Sequence, residues 1–154
     1  MAASRNTEIV VSQGTVCSGC GVCAAVCQSG AITMELGAHG FYVPITNAGR
    51  CTDCGLCKRV CPWGHEGSPE KALRSEVVDS YAAYSTDDAV RQHSSSGGVG
   101  FELASRAMSQ GYSACGVRYN TVSRRAEHFT ADTISGFLDS RGSKYIPSYT
   151  VDAF

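Results

Sequence analysis

One pattern of cysteines occurs twice in this sequence and constrains the fold more than any other feature. The stretch CSGCGVCAAVC runs from Cys17 to Cys27, and CTDCGLCKRVC runs from Cys51 to Cys61. Both copies have the spacing C-x-x-C-x-x-C-x-x-x-C, and Pro62 directly follows the second copy. A chain that repeats four cysteines at one spacing predicts two equivalent sites in a module with an internal two-fold repeat.

Composition decides between disulfides and metal ligands for these cysteines. Nine cysteines occur in 154 residues, eight of them in the repeat, and Cys115 stands apart. The N-terminus, MAASRNTEIVV, has no long apolar core after a basic start, and no apolar run approaches the roughly 20 residues that span a bilayer. We therefore expect a cytoplasmic protein, and in a reducing compartment dense cysteines indicate metal ligands. The formal net charge of -1 gives no sign of a nucleic-acid or membrane-surface partner.

The spacing is typical of bacterial ferredoxins, in which the fourth cysteine of each run binds the cluster of the other run. Three thiolates two residues apart can hold three irons of one 4Fe-4S cubane, while the helical turn that follows carries the fourth thiolate away. The sequence therefore predicts two crossed ligand sets. The first cluster takes Cys17, Cys20, Cys23 and Cys61, and the second takes Cys51, Cys54, Cys57 and Cys27.

Two zinc sites in a non-redox module are the alternative. Structural zinc usually binds two separated C-x-x-C pairs or mixtures of cysteine and histidine. Three cysteines within seven residues, followed by a fourth, are more clustered than this. The pattern therefore favours iron–sulfur clusters, and the zinc alternative stays open at this point.

The order of predicted elements indicates an α+β fold with two parts. AITMEL and FYVPIT are short β-prone runs around a glycine-rich turn, which predicts a hairpin between the cysteine runs. We expect a ferredoxin-like dicluster module with two short helical turns and β-hairpins at residues 8–64. A polar linker at 65–76 and a partial α/β domain at 77–154 follow.

In the second part, VDSYAAYS, YSACGVRY and RAEHFTA read as strands, and DTISGFLDSR as a short helix capped by Thr or Asp. A longer helix is predicted in SSSGGVGFELASRAMSQG, with Ser95 or Ser96 as its N-cap and Gly111 as its stop. Strand, helix and strand of these lengths predict a βαβ unit. The residues expected on one face of that helix are Val99, Leu103, Ala107 and Met108.

Two polar loops are candidates for binding an anionic group. The loop HSSSGG, from His93 to Gly98, enters a predicted helix, whose first N–H groups and dipole can hold a phosphate. It lacks the G-x-G-x-x-G spacing and the P-loop lysine, and an ordinary flexible turn is the alternative. The loop RGSKYIPS, from Arg141 to Ser148, adds two positive charges and several hydroxyls.

These residues resemble a known pair of domains. The first module is similar to a bacterial dicluster ferredoxin domain. The segment from DDAVRQHSSSGG through GFLDSRGSKYIPS resembles the N-terminal domain of the coenzyme F-420 hydrogenase/dehydrogenase beta-subunit family. The motifs SSSGGV, G-V-R-Y, AEHF and RGSKY carry this resemblance, in that order along the chain.

The resemblance implies a function for both parts. Family members pass electrons between iron–sulfur clusters and a bound FAD, and some act on the deazaflavin coenzyme F-420. By this resemblance the flavin-side residues are Ser95, Ser96, Gly97, Gly98, Gly142, Ser143, Lys144 and Tyr145. We expect an iron–sulfur electron-transfer protein that is part of a flavoprotein oxidoreductase, and the alternative is a dicluster carrier that docks a partner enzyme.

Family chains continue well past SKY into further strands, helices and a second domain. Only six residues follow Ser148 in this sequence. Because a sheet of about three strands buries little of its helices, we expect the flavin site to be completed elsewhere. A redox partner protein or a remaining oxidoreductase domain would complete it.

Overall fold

The computed structural model describes residues 17–62 and 79–154, which belong to two compact units. The first unit contains the described residues 17–62 together with the segment Tyr149–Asp152. The second unit contains residues 79–148 of the described chain. The predicted linker at 65–76 lies outside the described residues, so the predicted domain boundaries remain predictions. None of the described helices is long and apolar enough to cross a membrane.

The first unit combines two short helices with one hairpin. Its elements are helix α1 (Val22–Ala25), strand β1 (Ile32–Leu36), strand β2 (Tyr42–Thr46) and helix α2 (Leu56–Arg59). The two strands are antiparallel, with Ile32 opposite Thr46 and Leu36 opposite Tyr42. The hairpin that the sequence predicted between the cysteine runs is therefore confirmed.

The apolar core of the first unit is small. Alternation along β1 buries Ile32 and Met34 and exposes the side chains between them, as expected for a strand with one covered face. Ala24 and Tyr42 complete this buried cluster. The partly buried residues that pack against it are Cys23, Cys27, Cys57, Tyr149 and Val151. Cysteines thus form a large share of the interior.

The described part of the second unit contains three α-helices and a sheet whose strand order is β3-β4-β5. Its elements are helix α3 (Asp88–Gln92), helix α4 (Val99–Ser109), strand β3 (Ala114–Asn120), strand β4 (Arg125–Ala131), helix α5 (Ile134–Phe137) and the first residue of strand β5 (Ser148–Tyr149), whose second residue is assigned to the first unit. Strands β3 and β4 lie where the sequence predicted them, and Thr133 caps α5 by accepting a hydrogen bond from the Gly136 N–H. The α+β class is confirmed.

The predicted βαβ unit is wrong because the described part of its first strand is not a strand. Strands β3 and β4 are antiparallel, because only four residues connect them and a parallel connection needs a dozen or more. The Asn120 side-chain carbonyl accepts from the N–H groups of Val122 and Ser123, at 2.9 and 3.1 Å, and so forms the turn. Residues 79–84 of the predicted first strand form no strand, and 77–78 lie outside the described residues.

Helix α4 begins two or three residues later than a cap at Ser96 or Ser95 would place it. Its N-cap is Gly98, whose φ of 78° is in the left-handed region, so Ser95 and Ser96 precede the helix rather than cap it. Gly111, with φ of 88°, follows the helix end as predicted. The serines ahead of Gly98 therefore belong to a loop and not to the helix or its cap.

The buried face of α4 also differs from the predicted one. Phe101, Ala104 and Met108 pack with Phe129 and Phe137 to form the core of the second unit. These three helix residues are spaced at i, i+3 and i+7, which is an ordinary helix face. Leu103, which the sequence analysis placed on the inner face, is 67% exposed.

A buried carboxylate stabilises the β3–β4 hairpin. Glu127 accepts hydrogen bonds from Arg118, at 3.0 and 3.1 Å, and from Asn120, at 3.0 Å. The hydrogen bond from Asn120 is the largest influence on the pKa of the Glu127 carboxyl and lowers it, with Arg118 and Arg125 acting in the same direction against burial. Glu127 therefore joins the hairpin turn to the sheet.

Candidate metal centre and cofactor cleft

The two cysteine runs fold into loops with the same backbone conformation. Gly21 and Gly55 occupy equivalent positions and have φ values of 74° and 73°. Two residues earlier, Gly19 and Asp53 have φ values of 69° and 55°. Positive φ favours glycine, and aspartate tolerates it better than most residues. The repeat in the sequence is thus also a repeat in the backbone.

Position 19 in the first loop has no room for a side chain, whereas the equivalent position in the second loop carries one. A Cβ at Gly19 would lie 2.8 Å from the backbone oxygen of Tyr42. The second loop has Asp53 at the equivalent position. In both loops a four-residue helix begins directly after the second positive-φ residue, Gly21 or Gly55, and that helix carries the third cysteine, Cys23 or Cys57.

The first of two cavities in this unit contains three cysteines of the first run and one of the second. Its lining residues are Cys17, Ser18, Cys20, Gly21, Val22, Cys23, Met34 and Cys61. Cys61 is buried, and the other three cysteines are half-buried. The fourth cysteine of the second run therefore lies with the first three of the first run.

The second cavity has the reciprocal composition. Its lining residues are Cys27, Ser29, Ile32, Thr46, Cys51, Thr52, Cys54, Gly55, Leu56 and Cys57. Cys54 is exposed, and the other three cysteines are half-buried. The structure thus brings together the two sets of four that crossed ligation requires, and it surrounds each with apolar side chains.

Burial and neighbouring thiols disfavour the ionisation of one cysteine in each cavity. Burial, assisted by the nearby Cys20 and Cys17, raises the pKa of Cys23 to about 11. Burial and the neighbouring Cys51 and Cys54 likewise raise the pKa of Cys57. Thiolates gathered this closely need compensating positive charge, which iron ions would supply.

Cys27 has a different environment from the cysteines of its own run. Burial acts to raise its pKa, but hydrogen bonds from Ser29 and from backbone N–H groups outweigh burial and lower it. The Ala31 N–H donates to the Cys27 Sγ at 3.3 Å. Hydrogen bonds of this kind stabilise a thiolate, which suits a cysteine that serves as a metal ligand.

The arrangement of thiols fits a four-iron cluster better than a zinc ion. Tetrahedral zinc holds four sulfurs at about 2.3 Å, so its ligands lie within about 4 Å of one another. Within residues 17–62 and 79–154, no three histidine, cysteine or acidic side chains converge closely enough to hold a single ion. A cubane does not require its thiols to converge on one ion, because each sulfur binds a different iron.

The second unit contains an open cleft of about 570 Å³ beside the start of α4. Seven of the eight predicted flavin-side residues line it: Ser95, Ser96, Gly97, Gly98, Gly142, Ser143 and Lys144. The eighth, Tyr145, is not among the lining residues and is 91% exposed. Two loops that are distant in the sequence therefore form one site.

Close backbone contacts hold the two loops of the cleft together. The Ser143 N–H donates to the Ser95 hydroxyl at 2.6 Å. A Cβ at Gly97 would lie 2.7 Å from the backbone oxygen of Ala83, so this position has no room for a side chain. The Ser85 N–H donates to the Gly97 carbonyl at 2.6 Å and fixes the loop from the other side.

The cleft has donors suited to an anion. The Phe101 N–H donates to the Gly98 carbonyl at 3.1 Å, which leaves the Val99 and Gly100 N–H groups at the start of α4 directed out of the helix, where the helix dipole adds partial positive charge. Lys144 Nζ donates to the backbone oxygens of Asp139 and Arg141, at 3.0 and 2.8 Å. Burial lowers the pKa of Lys144, against the opposing effect of Asp139. An ammonium has three donors, so the two carbonyls leave one for a ligand.

Sequence reasoning missed several residues that line the cleft. Phe101, Gly116, Val117, Phe137 and Ser140 supply much of its wall. Gly116 and Val117 belong to the G-V-R-Y motif, which the sequence analysis interpreted only as part of a strand. The motif could have indicated that these two residues line the cleft. Phe137 had no local signal, because its position depends on how α5 packs against β3.

Two family models match this chain in the order that the resemblance implied. Residues 16–65 match the model described as 4Fe-4S dicluster domain. Residues 80–154 match the model described as Coenzyme F-420 hydrogenase/dehydrogenase, beta subunit N-term. The chain thus matches a dicluster domain followed by the N-terminal domain of this beta-subunit family. An iron–sulfur electron-transfer role follows for the dicluster domain, and the beta-subunit domain contains the cleft. No curated protein matches the chain.

Proposed function

We propose that this chain passes electrons through two 4Fe-4S clusters to or from a flavin or deazaflavin, with FAD bound in the cleft of the beta-subunit domain. The observation that carries the flavin part is the convergence of seven predicted residues on one cleft with Lys144 among them. The proposal includes the crossed ligand sets, in which Cys27 and Cys61 each bind the cluster of the other run.

The residues of the cleft suit the two chemical halves of FAD. A diphosphate is an anion that binds helix N-termini, hydroxyls and lysine, and these groups meet where the Ser95 loop enters α4. Phe101, Val117 and Phe137 provide an apolar wall for a flat ring. The volume of about 570 Å³ lies within the roughly 300–1,000 Å³ typical of ligand sites.

The cysteine cavities suit cubane clusters, which supply one-electron transfer when bound. Val22 and Met34 in one cavity, and Ile32 and Leu56 in the other, limit the access of water to the thiols. Lower exposure to water and fixed hydrogen bonds set the reduction potential of such a cluster. The protein's task is therefore to position the thiols and to control their surroundings.

This chemistry needs an electron donor or acceptor beyond the chain. A redox partner protein or a remaining oxidoreductase domain would supply it, in a reducing cytoplasm that keeps the thiols free for iron. The second candidate function is a dicluster carrier in which the second unit only docks a partner enzyme. The exposed Cys54 favours direct exchange with such a partner. FAD binding distinguishes the two functions.

The test is a titration of the purified, anaerobic chain with FAD, followed by quenching of flavin fluorescence. We expect saturable binding that weakens about tenfold or more in Lys144→Met, because a charge-assisted hydrogen bond contributes about 1.5–3 kcal/mol. Ser96→Asp should weaken binding as well, by placing negative charge in the cleft without removing a loop contact. Tyr145→Phe is the matched control, since Tyr145 does not line the cleft.

The outcomes separate the candidates. Binding that responds to Lys144 and Ser96 but not to Tyr145 supports the flavin site. Absence of saturable binding would contradict a flavin site formed by this chain alone, and leave the dicluster carrier or a site that a further domain completes. Equal affinity in all variants would contradict the cleft as the place where FAD binds.

A further inference from the structure

A segment from the far end of the sequence packs against the first cysteine loop. We call residues Tyr149–Asp152 the cover segment; they belong to the first unit. The Thr150 hydroxyl donates to the backbone oxygen of Cys20 at 2.7 Å. The Tyr149 ring meets the Tyr42 ring edge-on, with centroids 5.5 Å apart. A polar contact and an aromatic contact thus hold the segment beside the thiol cavity of the first run.

The first loop has no room between its backbone and the cover segment. A Cβ at Gly21 would lie 2.3 Å from the Thr150 Oγ1 and 3.1 Å from the Val151 Cγ2. Gly21 is buried as a result. Real Cβ atoms do not approach another atom within 3 Å, so the glycine allows the contact as well as the loop conformation.

The second loop has the same backbone but no such cover among the described residues. Gly55 has a φ of 73°, against 74° for Gly21, and a Cβ at Gly55 would meet no described atom within 4 Å. Cys54 is exposed, whereas the equivalent Cys20 is half-buried. Because the loops share one conformation, their surroundings differ through what packs against them, and among the described residues the cover segment packs against the first loop.

We propose that Thr150 is a positioning residue that holds the cover segment on the first loop, and that the cover makes the first cluster less accessible than the second. The inference rests on the proposed clusters. Its physical basis is the Cys20 carbonyl: without the Thr150 hydroxyl, this acceptor loses its partner and the segment can open. The first cluster is then the protected member of the pair.

The experiment measures release of iron from the anaerobically purified, reduced holoprotein to a coloured ferrous-iron chelator. We expect two phases of about equal amplitude, because each cubane holds half of the iron. Thr150→Val keeps the branched shape but removes the donor, and should speed the slow phase about two- to tenfold without changing the fast phase. Thr150→Ser restores the hydroxyl and should restore the slow phase.

The internal repeat supplies a matched pair of variants. Gly21→Ala and Gly55→Ala impose the same backbone strain, since both glycines have left-handed φ, but only Gly21→Ala collides with the cover segment. We therefore expect Gly21→Ala to speed the slow phase, and Gly55→Ala to leave the slow phase unchanged. Amide hydrogen exchange at Thr150 and Val151 gives a readout independent of iron, and should increase in Gly21→Ala and Thr150→Val only.

The results distinguish failure of this inference from failure of the proposed function. A chain that binds about eight irons but releases them in one phase would contradict the cover while leaving the clusters intact. So would a slow phase and an exchange rate that do not respond to Thr150. A chain without iron and sulfide would contradict both.

Discussion

Cys27 belongs to the first run of cysteines in the sequence, but its thiol lines the cavity of the second run. Crossed ligation therefore predicts how pairs of substitutions combine. Cys27→Ala together with Cys54→Ala should damage one cluster and leave about four irons per chain. Cys27→Ala together with Cys20→Ala should damage both clusters and leave almost none.

Iron and sulfide content of the anaerobically purified double variants measures this difference. Cys115→Ala is the control, because Cys115 is exposed and lies in β3, outside both cavities. If the pair Cys27 and Cys20 retained about four irons, and the pair Cys27 and Cys54 retained none, each run would bind its own cluster and the crossed sets would be wrong.

Single residues show what sequence can and cannot predict here. The spacing of the cysteines indicated which thiols gather around each cavity, because the first three cysteines of each run lie within one loop of seven residues. Seven of the eight flavin-side residues meet in one cleft, but Tyr145 does not line it, since neighbours in a loop can point to different sides. The contact of Thr150 with Cys20 joins residues 130 positions apart, and nothing local in the sequence indicates it.

At the scale of elements, the contact of β3 with α5 gives a direct test of the second unit. A Cβ at Gly116 would lie 2.6 Å from the Ser140 Cβ and 2.7 Å from the Phe137 Cε2. Gly116→Ala should therefore destabilise the unit by about 1–3 kcal/mol, as overpacking does. Urea unfolding followed by circular dichroism measures the loss.

Gly100 provides the matched control for that substitution. It lies exposed in the first turn of α4, and a Cβ there would meet nothing described within 4 Å. Gly100→Ala should stabilise the helix by about 0.5–1 kcal/mol, because alanine loses less conformational freedom on folding. Equal effects of the two substitutions would contradict the packing of β3 against α5.

The elements also explain where prediction from sequence failed. The boundaries of β3, β4 and the hairpin followed from local patterns of β-prone residues and turns. The predicted strand at 77–84 failed in its described part, 79–84, because a run of small and aromatic residues does not by itself provide a pairing partner. The inner face of α4 depended on Phe137 and Phe129, whose packing is tertiary, so Leu103 was assigned wrongly.

At the scale of the whole chain, two small units divide the chemistry between them. The dicluster domain gathers eight thiols around a small apolar core, and the beta-subunit domain contains a cleft with anion donors. Each unit alone has little hydrophobic core, so bound clusters in one and a bound cofactor in the other would add substantially to stability. The central claim is that the first unit holds two 4Fe-4S clusters.

The most direct test of that claim is the content of iron, acid-labile sulfide and zinc in one anaerobically purified sample. The account predicts about eight irons and about eight sulfides per chain, with little zinc, because two cubanes contain that number. About two zinc ions per chain without sulfide would contradict it, and would show that the cysteines form structural metal sites instead.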